Sequence, residues 1–213
     1  MRVVKEAEER KNEILDVAER LFGTKGFDST STTDILNEIG IARGTLYYHF
    51  KSKEEILDAM ISRMMDRMIE KAKAIAAQRD VPVLQRLTMM MLSLNVGDGH
   101  LGQELLEQAH KPQNALMHQK MEKCLLSGIN PIITDLIKEG ITEGICQTDY
   151  PQEAAEMTFL YVNTIFDDLM EHSKEEKQRK IAAFIYNLER LLNMEQGSME
   201  AVIMPLFRSD VFN

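Results

Sequence analysis

From residue 6 to residue 193, apolar side chains recur at intervals of three and four, and no stretch alternates convincingly with period two. The first spacing lays a stripe along a helix, and the second would line one face of a strand. The pattern therefore predicts an all-α chain of about nine or ten helices. Ile14, Ala18, Leu21 and Phe22 stripe a first helix over 6–23, and Gly26 is its stop signal. Ser31 with Asp34 three residues on forms a capping box. It opens a short second helix with Ile35, Leu36 and Ile39 on its apolar side and Gly40 at its end. A third short helix covers about 42–48. Ser52 caps a long fourth helix over 53–78, with Ile56, Leu57, Met60, Ile61, Met64, Met68, Ala72 and Ile75 at helical spacing. Further helices are expected over 84–94, 101–108, 115–139, 151–171 and 175–193, with a loop at 97–99 and a tenth helix at 198–206. A kink is expected at Gly128 and Pro131. Ser173 and Glu176 form a second capping box.

Two short helices joined by a tight turn containing glycine are a helix-turn-helix arrangement. Residues 40–57, GIARGTLYYHFKSKEEIL, crowd Tyr47, Tyr48 and His49 together. A core helix would space its aromatics three or four apart. In a helix-turn-helix the second helix lies in the major groove and offers its N-terminal residues to base edges. That puts Arg43, Thr45 and Tyr47 nearest the DNA. Arg43 has the fork geometry to donate two hydrogen bonds to a guanine. Gly44 lets the backbone come close. Tyr47, Tyr48 and His49 offer rings to sugars and thymine methyls, while Leu46 and Phe50 take the core side. Lys51 and Lys53 add cationic phosphate contacts, and the N–H groups opening the next helix are a further phosphate site.

Net charge at neutral pH is −9, which at first opposes a nucleic-acid partner. The division along the chain softens this. Residues 1–54 carry nine Lys/Arg and ten Asp/Glu, a net of −1, and the other 159 carry sixteen and twenty-four, a net of −8. Residues 40–53 hold three cations and no acid. An acidic body with a locally basic end still binds DNA through that end. The same acid-free stretch disfavours a helical interaction module that makes no use of the motif. No apolar run approaches the roughly 20 residues of a membrane span. The charged start MRVVKEAEERK has no signal-peptide core. A cytoplasmic protein without membrane contact is expected. Cys124 and Cys146, far apart, read as buried thiols. His100, His110, His118 and Cys124 do not fall on one helical face at i, i+4, so no metal site is expected. With no G-x-S-x-G, H-E-x-x-H, P-loop or dinucleotide fingerprint, no enzyme, catalytic residue or cofactor is expected either.

A longer pattern carries a resemblance. Arg10, Ile14-Leu15, Ala18, Leu21-Phe22, Gly26-Phe27, Thr30-Ser31, Asp34-Ile35, Gly40-Ile41, then Gly44-Thr45-Leu46-Tyr47-Tyr48-His49-Phe50 and Ser52-Lys53-Glu54 resemble the N-terminal domain of the tetracycline-repressor (TetR) family. The match covers about residues 8–68. Beyond it the resemblance is one of length and helix count. It implies a DNA-binding domain over 1–53 and a helical effector-binding and dimerisation domain over 54–213. It also implies a homodimeric bacterial transcription factor, mostly a repressor, on a palindromic operator of double-stranded DNA. Ser31, Thr32 and Thr33 match the family's phosphate and base contacts at the start of helix 2. Arg43, Gly44, Thr45, Tyr47, Tyr48 and His49 match its recognition helix, and Lys53 its phosphate contact at the start of helix 4. Two positions depart. Ala42 stands where the family has a capping Ser or Thr, and Leu36 where it favours Ala.

Methionine is frequent, 15 in the chain. Met64, Met68, Met90, Met117 and Met121, with Phe159, fall on helices that would line the family's ligand cavity. Methionine fills irregular space and suits adaptable surfaces, so a small hydrophobic effector is expected. The same residues also read as ordinary core. Leu160, Thr164, Phe184, Leu188 and Leu191 fall on the last two long helices, which in the family pair with their mates in a dimer.

Overall fold

The computed structural model describes residues 2–93, 108, 111–169 and 173–202. Among these it is all-α, without a strand. The helices are α1 (Arg2–Lys25), α2 (Thr32–Ile39), α3 (Arg43–His49), α4 (Lys53–Ala76), α5 (Val83–Ser93), α6 (Ala115–Thr142), α7 (Pro151–Leu169) and α8 (Lys174–Leu191). A 3-10 turn, Pro112–Asn114, leads into α6, and residues 198–202 are again helical. The expected loop at 97–99, the expected helix over 101–108 apart from its last residue, His100, His110, the side chain of Thr164 and the tail past 202 lie outside the described residues.

α1 begins four residues before the sequence pattern places it. The stretch Arg2–Arg10 carries no apolar stripe, but Ala, Glu, Lys and Arg are good helix formers. Both capping boxes form. The Ser31 hydroxyl accepts from the Asp34 N–H at 3.1 Å, and the Asp34 carboxylate accepts from the Ser31 N–H at 2.8 Å. Ser173 and Glu176 repeat the exchange at the start of α8. α6 runs unbroken through Pro131. Gly128 serves a close approach. A Cβ there would lie 2.3 Å from the Ile69 side chain of α4.

Backbone proximity divides the chain into two compact units, Met1–Arg67 with Asn95–Cys124, and Met68–Leu94 with Leu125–Asn213. The first is built around Ile14, Ala18 and Phe22 of α1, Ile35 of α2, Leu46 of α3, and Ile56, Leu57 and Met60 of α4, all at most 1% exposed. Phe27 meets the Phe22 ring edge-on at 5.3 Å. Met117 and Met121, on the first turns of α6, are buried in the same unit. Ion pairs tie its helices together. Arg63 of α4 reaches Asp16 and Glu19 of α1, each at 2.7 Å, and Arg20 of α1 reaches Glu38 of α2 at 2.6 Å.

The second unit packs Val83, Met90, Ile129, Ile133, Leu136, Ala155, Ile185, Leu188 and Leu192 into one core. Arg86 is inside it, 1% exposed. Its Nε donates to Val81 O and its Nη1 to Ala76 O, both at 2.8 Å, and its guanidinium pairs with Glu139 of α6. Arg79 reaches the same carboxylate. These hydrogen bonds hold the Glu139 carboxyl below the usual glutamate range, Arg86 being the larger cause. Cys124 and Cys146 are half-buried thiols, and burial pushes the Cys146 thiol up.

Candidate nucleic-acid interface

α2 ends at Gly40, whose left-handed φ of +73° lets its N–H return to Leu36 O. Ile41 and Ala42 complete the turn, and α3 starts at Arg43 with no side-chain cap on Ala42. The helix runs one residue later than the sequence pattern puts it, over 43–49 against about 42–48. Ala42 O still takes the first bonds of the helix, from Thr45 N at 2.9 Å and Leu46 N at 3.4 Å. Burial then sorts the seven-residue helix cleanly. Leu46 is 1% exposed and Phe50, just past its end, 2%. Arg43, Gly44, Tyr47 and Tyr48 face outward, Tyr48 at 79% exposure. Thr45 and His49 are half-buried. A Cβ on Gly44 would meet nothing within 4 Å, so this face of α3 is open.

The exposed groups are ordered by one another. The Arg43 guanidinium lies over the Tyr47 ring, 5.4 Å from its centroid. Arg43 and the Thr32 hydroxyl beside the Tyr47 phenol hold its pKa below the ordinary tyrosine value. Tyr48 and His49 meet edge to face at 5.0 Å. Thr32 sits on the first turn of α2, so the two helices of the motif touch through this residue pair. Ser31 and Thr33 are exposed beside it. The Asp34 carboxyl is held low, first by the Ser31 hydroxyl and then by its N–H and by Lys25.

Lys51 is exposed. Lys53 has a second engagement that the sequence does not announce. Its ammonium donates to Phe27 O at 2.8 Å and to Thr30 O at 2.9 Å, and lies 4.2 Å from the centre of the Phe27 ring. A lysine has three N–H donors, so one is left for another acceptor. Ser52 caps α4, its hydroxyl accepting from Glu55 N at 3.1 Å.

The other sequence-derived residues fall elsewhere. Met64, Met117 and Met121 are buried in the first unit, Met90 and Phe159 in the second, and Met68 is half-buried. On α7, Leu160 is 45% exposed, in a stripe with Met157 at 59% and Tyr161 at 44%. On α8, Leu191 is exposed, Phe184 is half-buried with its ring stacked on Tyr161, and Leu188 lies in the core of the second unit. No group of three or more His, Cys, Asp or Glu placed to hold a metal occurs among the described residues, and no described helix is long and apolar enough to cross a membrane.

A capped α2, a three-residue turn and an amphipathic α3 with Arg43 and two tyrosines outward define a helix-turn-helix regulator. Comparison with known proteins carries the assignment further. Residues 14–60 match the profile of the bacterial regulatory proteins of the tetR family, and residues 100–186 match the tetracyclin repressor-like C-terminal domain. The fatty acid metabolism regulator protein of Bacillus subtilis is 30% identical over 139 residues, 62% of this chain and 68% of that protein. The uncharacterized HTH-type transcriptional regulator YerO of the same organism is 27% identical over 212 residues, 96% of this chain and 71% of that one. A solved structure of Bacillus subtilis FadR in complex with stearoyl-CoA shares the fold, with a TM-score of 0.59 at 23% identity, covering 84% of this chain and 96% of that one. The chain belongs to the TetR family of transcriptional regulators.

Proposed function

We propose that the protein is a dimeric repressor that holds a palindromic operator through α3 and releases it on binding a small hydrophobic effector. The outward face of α3 carries this reading: Arg43, Tyr47 and Tyr48 exposed over a buried Leu46 and Phe50. Arg43, Thr45 and Tyr47 reach base edges, with Gly44 allowing close approach. Tyr48, His49 and Lys51 take sugar and phosphate, and so do Ser31, Thr32 and Thr33 at the start of α2. Lys53 offers its third N–H to a phosphate. Two such helices about one DNA turn apart, roughly 34 Å, match two half-sites.

The dimer is supported by the stripe Met157, Leu160 and Tyr161 on α7 and by Tyr186 and Leu191 on α8, all between 38% and 59% exposed. Apolar positions at i, i+3 and i+4 on one exposed helix face fit a partner helix.

The effector class is supported by the relatives, one named for fatty acid metabolism and one solved in complex with stearoyl-CoA. Acyl thioesters are therefore the first class to test. An effector that weakens operator binding must itself bind less tightly to the operator complex, by the same factor. The test selects random-sequence duplex DNA on the purified protein at two salt concentrations and then titrates the recovered duplex with acyl-CoAs of increasing chain length. A palindrome enriched at low salt, weakened at high salt and released by long-chain thioesters is the expected result. No enrichment at either salt refutes the DNA reading. Enrichment without release refutes the effector class alone.

A further inference from the structure

The loop Gly26–Thr30 feeds the chain into α2, and it is held from three directions. From within, the Thr30 hydroxyl donates to Gly26 O at 2.7 Å. From α4, the Lys53 ammonium takes Phe27 O and Thr30 O. The third hold comes from far along the chain, in the segment entering α6. There the Asp28 N–H donates to Asn114 Oδ1 at 3.3 Å, Asn114 Nδ2 donates to Gln108 O at 2.8 Å, and Gln108 Nε2 donates to Thr24 O at 3.2 Å. Asn114 is 1% exposed. Gly26 has a φ of +86°, and a Cβ on it would stand 2.8 Å from Asn114 Nδ2. Loop backbone and amide are thus at closest approach, and both ends of the Asn114 amide are used.

A buried amide with all its partners in place rigidifies what it touches, because the alternative is an unpaired polar group away from water. What it touches here is the approach to the DNA-reading helices. Thr30 precedes the Ser31 cap directly, and Thr32 beside that cap meets Tyr47 of α3. We propose that Asn114, with Gln108, is a positioning residue for DNA binding: it clamps the α1–α2 loop and so sets the placement of α2 and α3 from the segment entering α6. Residues 108 and 114 fall inside the stretch matched by the C-terminal family profile. The clamp lies within the first compact unit and gives the segment entering α6 a hold on the loop that feeds α2. The inference rests on the DNA-binding reading above.

The test uses the full chain with Asn114→Ala, and Gln108→Ala as a second variant should the first not fold. Amide hydrogen exchange is followed over 24–30 and over 129–137 as an internal reference. Binding to the selected duplex is measured across a salt series. The expected result is faster exchange over 24–30, with 129–137 unchanged. Affinity should fall about tenfold, the equivalent of one net hydrogen bond, with the salt slope retained because the phosphate contacts are the same in number. Unchanged exchange over 24–30 shows that no clamp exists. Faster exchange with unchanged affinity shows a clamp that positions nothing. If the wild-type chain enriches no duplex, the DNA reading falls and the positioning role with it, while the exchange arm still reports on the clamp itself.

Discussion

Lys53→Met separates two roles that the structure gives to one side chain. Methionine keeps an unbranched apolar stem of similar length and removes the ammonium alone. That ammonium donates to Phe27 O at 2.8 Å and Thr30 O at 2.9 Å and lies over the Phe27 ring. Hydrogen bonds involving a charged group contribute about 1.5–3 kcal/mol each, and a cation over a ring about 0.5–1 kcal/mol when exposed. Lys53 is only half-buried, so solvent screens part of this. Phe27 and Thr30 are buried, which keeps their stranded carbonyls from full rehydration. The net expectation is a loss of about 2–4 kcal/mol, a large share of the roughly 5–15 kcal/mol that holds a domain folded. In a chain of this size that lowers the melting temperature by roughly 4–16 °C. If the third N–H also meets a phosphate, the slope of log affinity against log salt shallows by about 0.9 per protomer. Thermal and denaturant unfolding read the first role, and a salt series on the selected duplex reads the second. A melting temperature within about 2 °C of wild type, equivalent to less than about 1 kcal/mol in a chain of this size, would refute the clamp. A retained salt slope would remove the phosphate contact and leave the clamp standing.

Arg43→Ala should lower discrimination between operator and point-mutated duplexes by about 1–3 kcal/mol; an unchanged base preference in competition binding would remove Arg43 from base reading. Glu139→Gln takes the counter-charge from the buried Arg86 guanidinium, which keeps its bonds to Val81 O and Ala76 O, and should cost about 3–5 kcal/mol in denaturant unfolding, so a loss below about 1 kcal/mol would show the pair to be solvated. The folded pKa of Glu139 is depressed by Arg86 and Arg79. The stability it contributes is therefore complete above the unfolded carboxylate value, about 4.3, and is lost as pH falls through the lower folded value. Wild type and Glu139→Gln should accordingly converge in stability in that acid range, and a constant gap there would contradict the assignment. Glu189 is 4% exposed, and its carboxylate accepts from the N–H groups of Gly197, Met199 and Glu200. Glu189→Ala should open 197–202 to limited proteolysis while the rest of the chain resists. Met157→Arg should shift sedimentation toward the monomer if the α7 stripe is a dimer face, and an unchanged sedimentation coefficient would move the interface elsewhere.

What the sequence determined by itself is what depends on near neighbours. Capping boxes close over three residues, so Ser31 with Asp34 and Ser173 with Glu176 mark the starts of α2 and α8 correctly. The inward Leu46 and Phe50 and the outward Arg43, Tyr47 and Tyr48 follow from helical periodicity within a single short segment. The inward and outward sides of α3 were therefore legible in the sequence. Periodicity failed where it was silent or ambiguous. It missed the start of α1, where helix propensity acts without an apolar stripe, and it did not show that Gly128 makes room for Ile69. It also could not divide Leu188, in the core, from Leu191, on the surface, since both are leucines of one helix. The tertiary structure alone decided the long-range polar contacts. Lys53 finds its two carbonyls 23 and 26 residues away, Arg86 meets Glu139 across 53, and Asn114 meets Asp28 across 86. No local pattern encodes such partners. A buried polar group must find a partner somewhere, and which one it finds is set by how the helices pack.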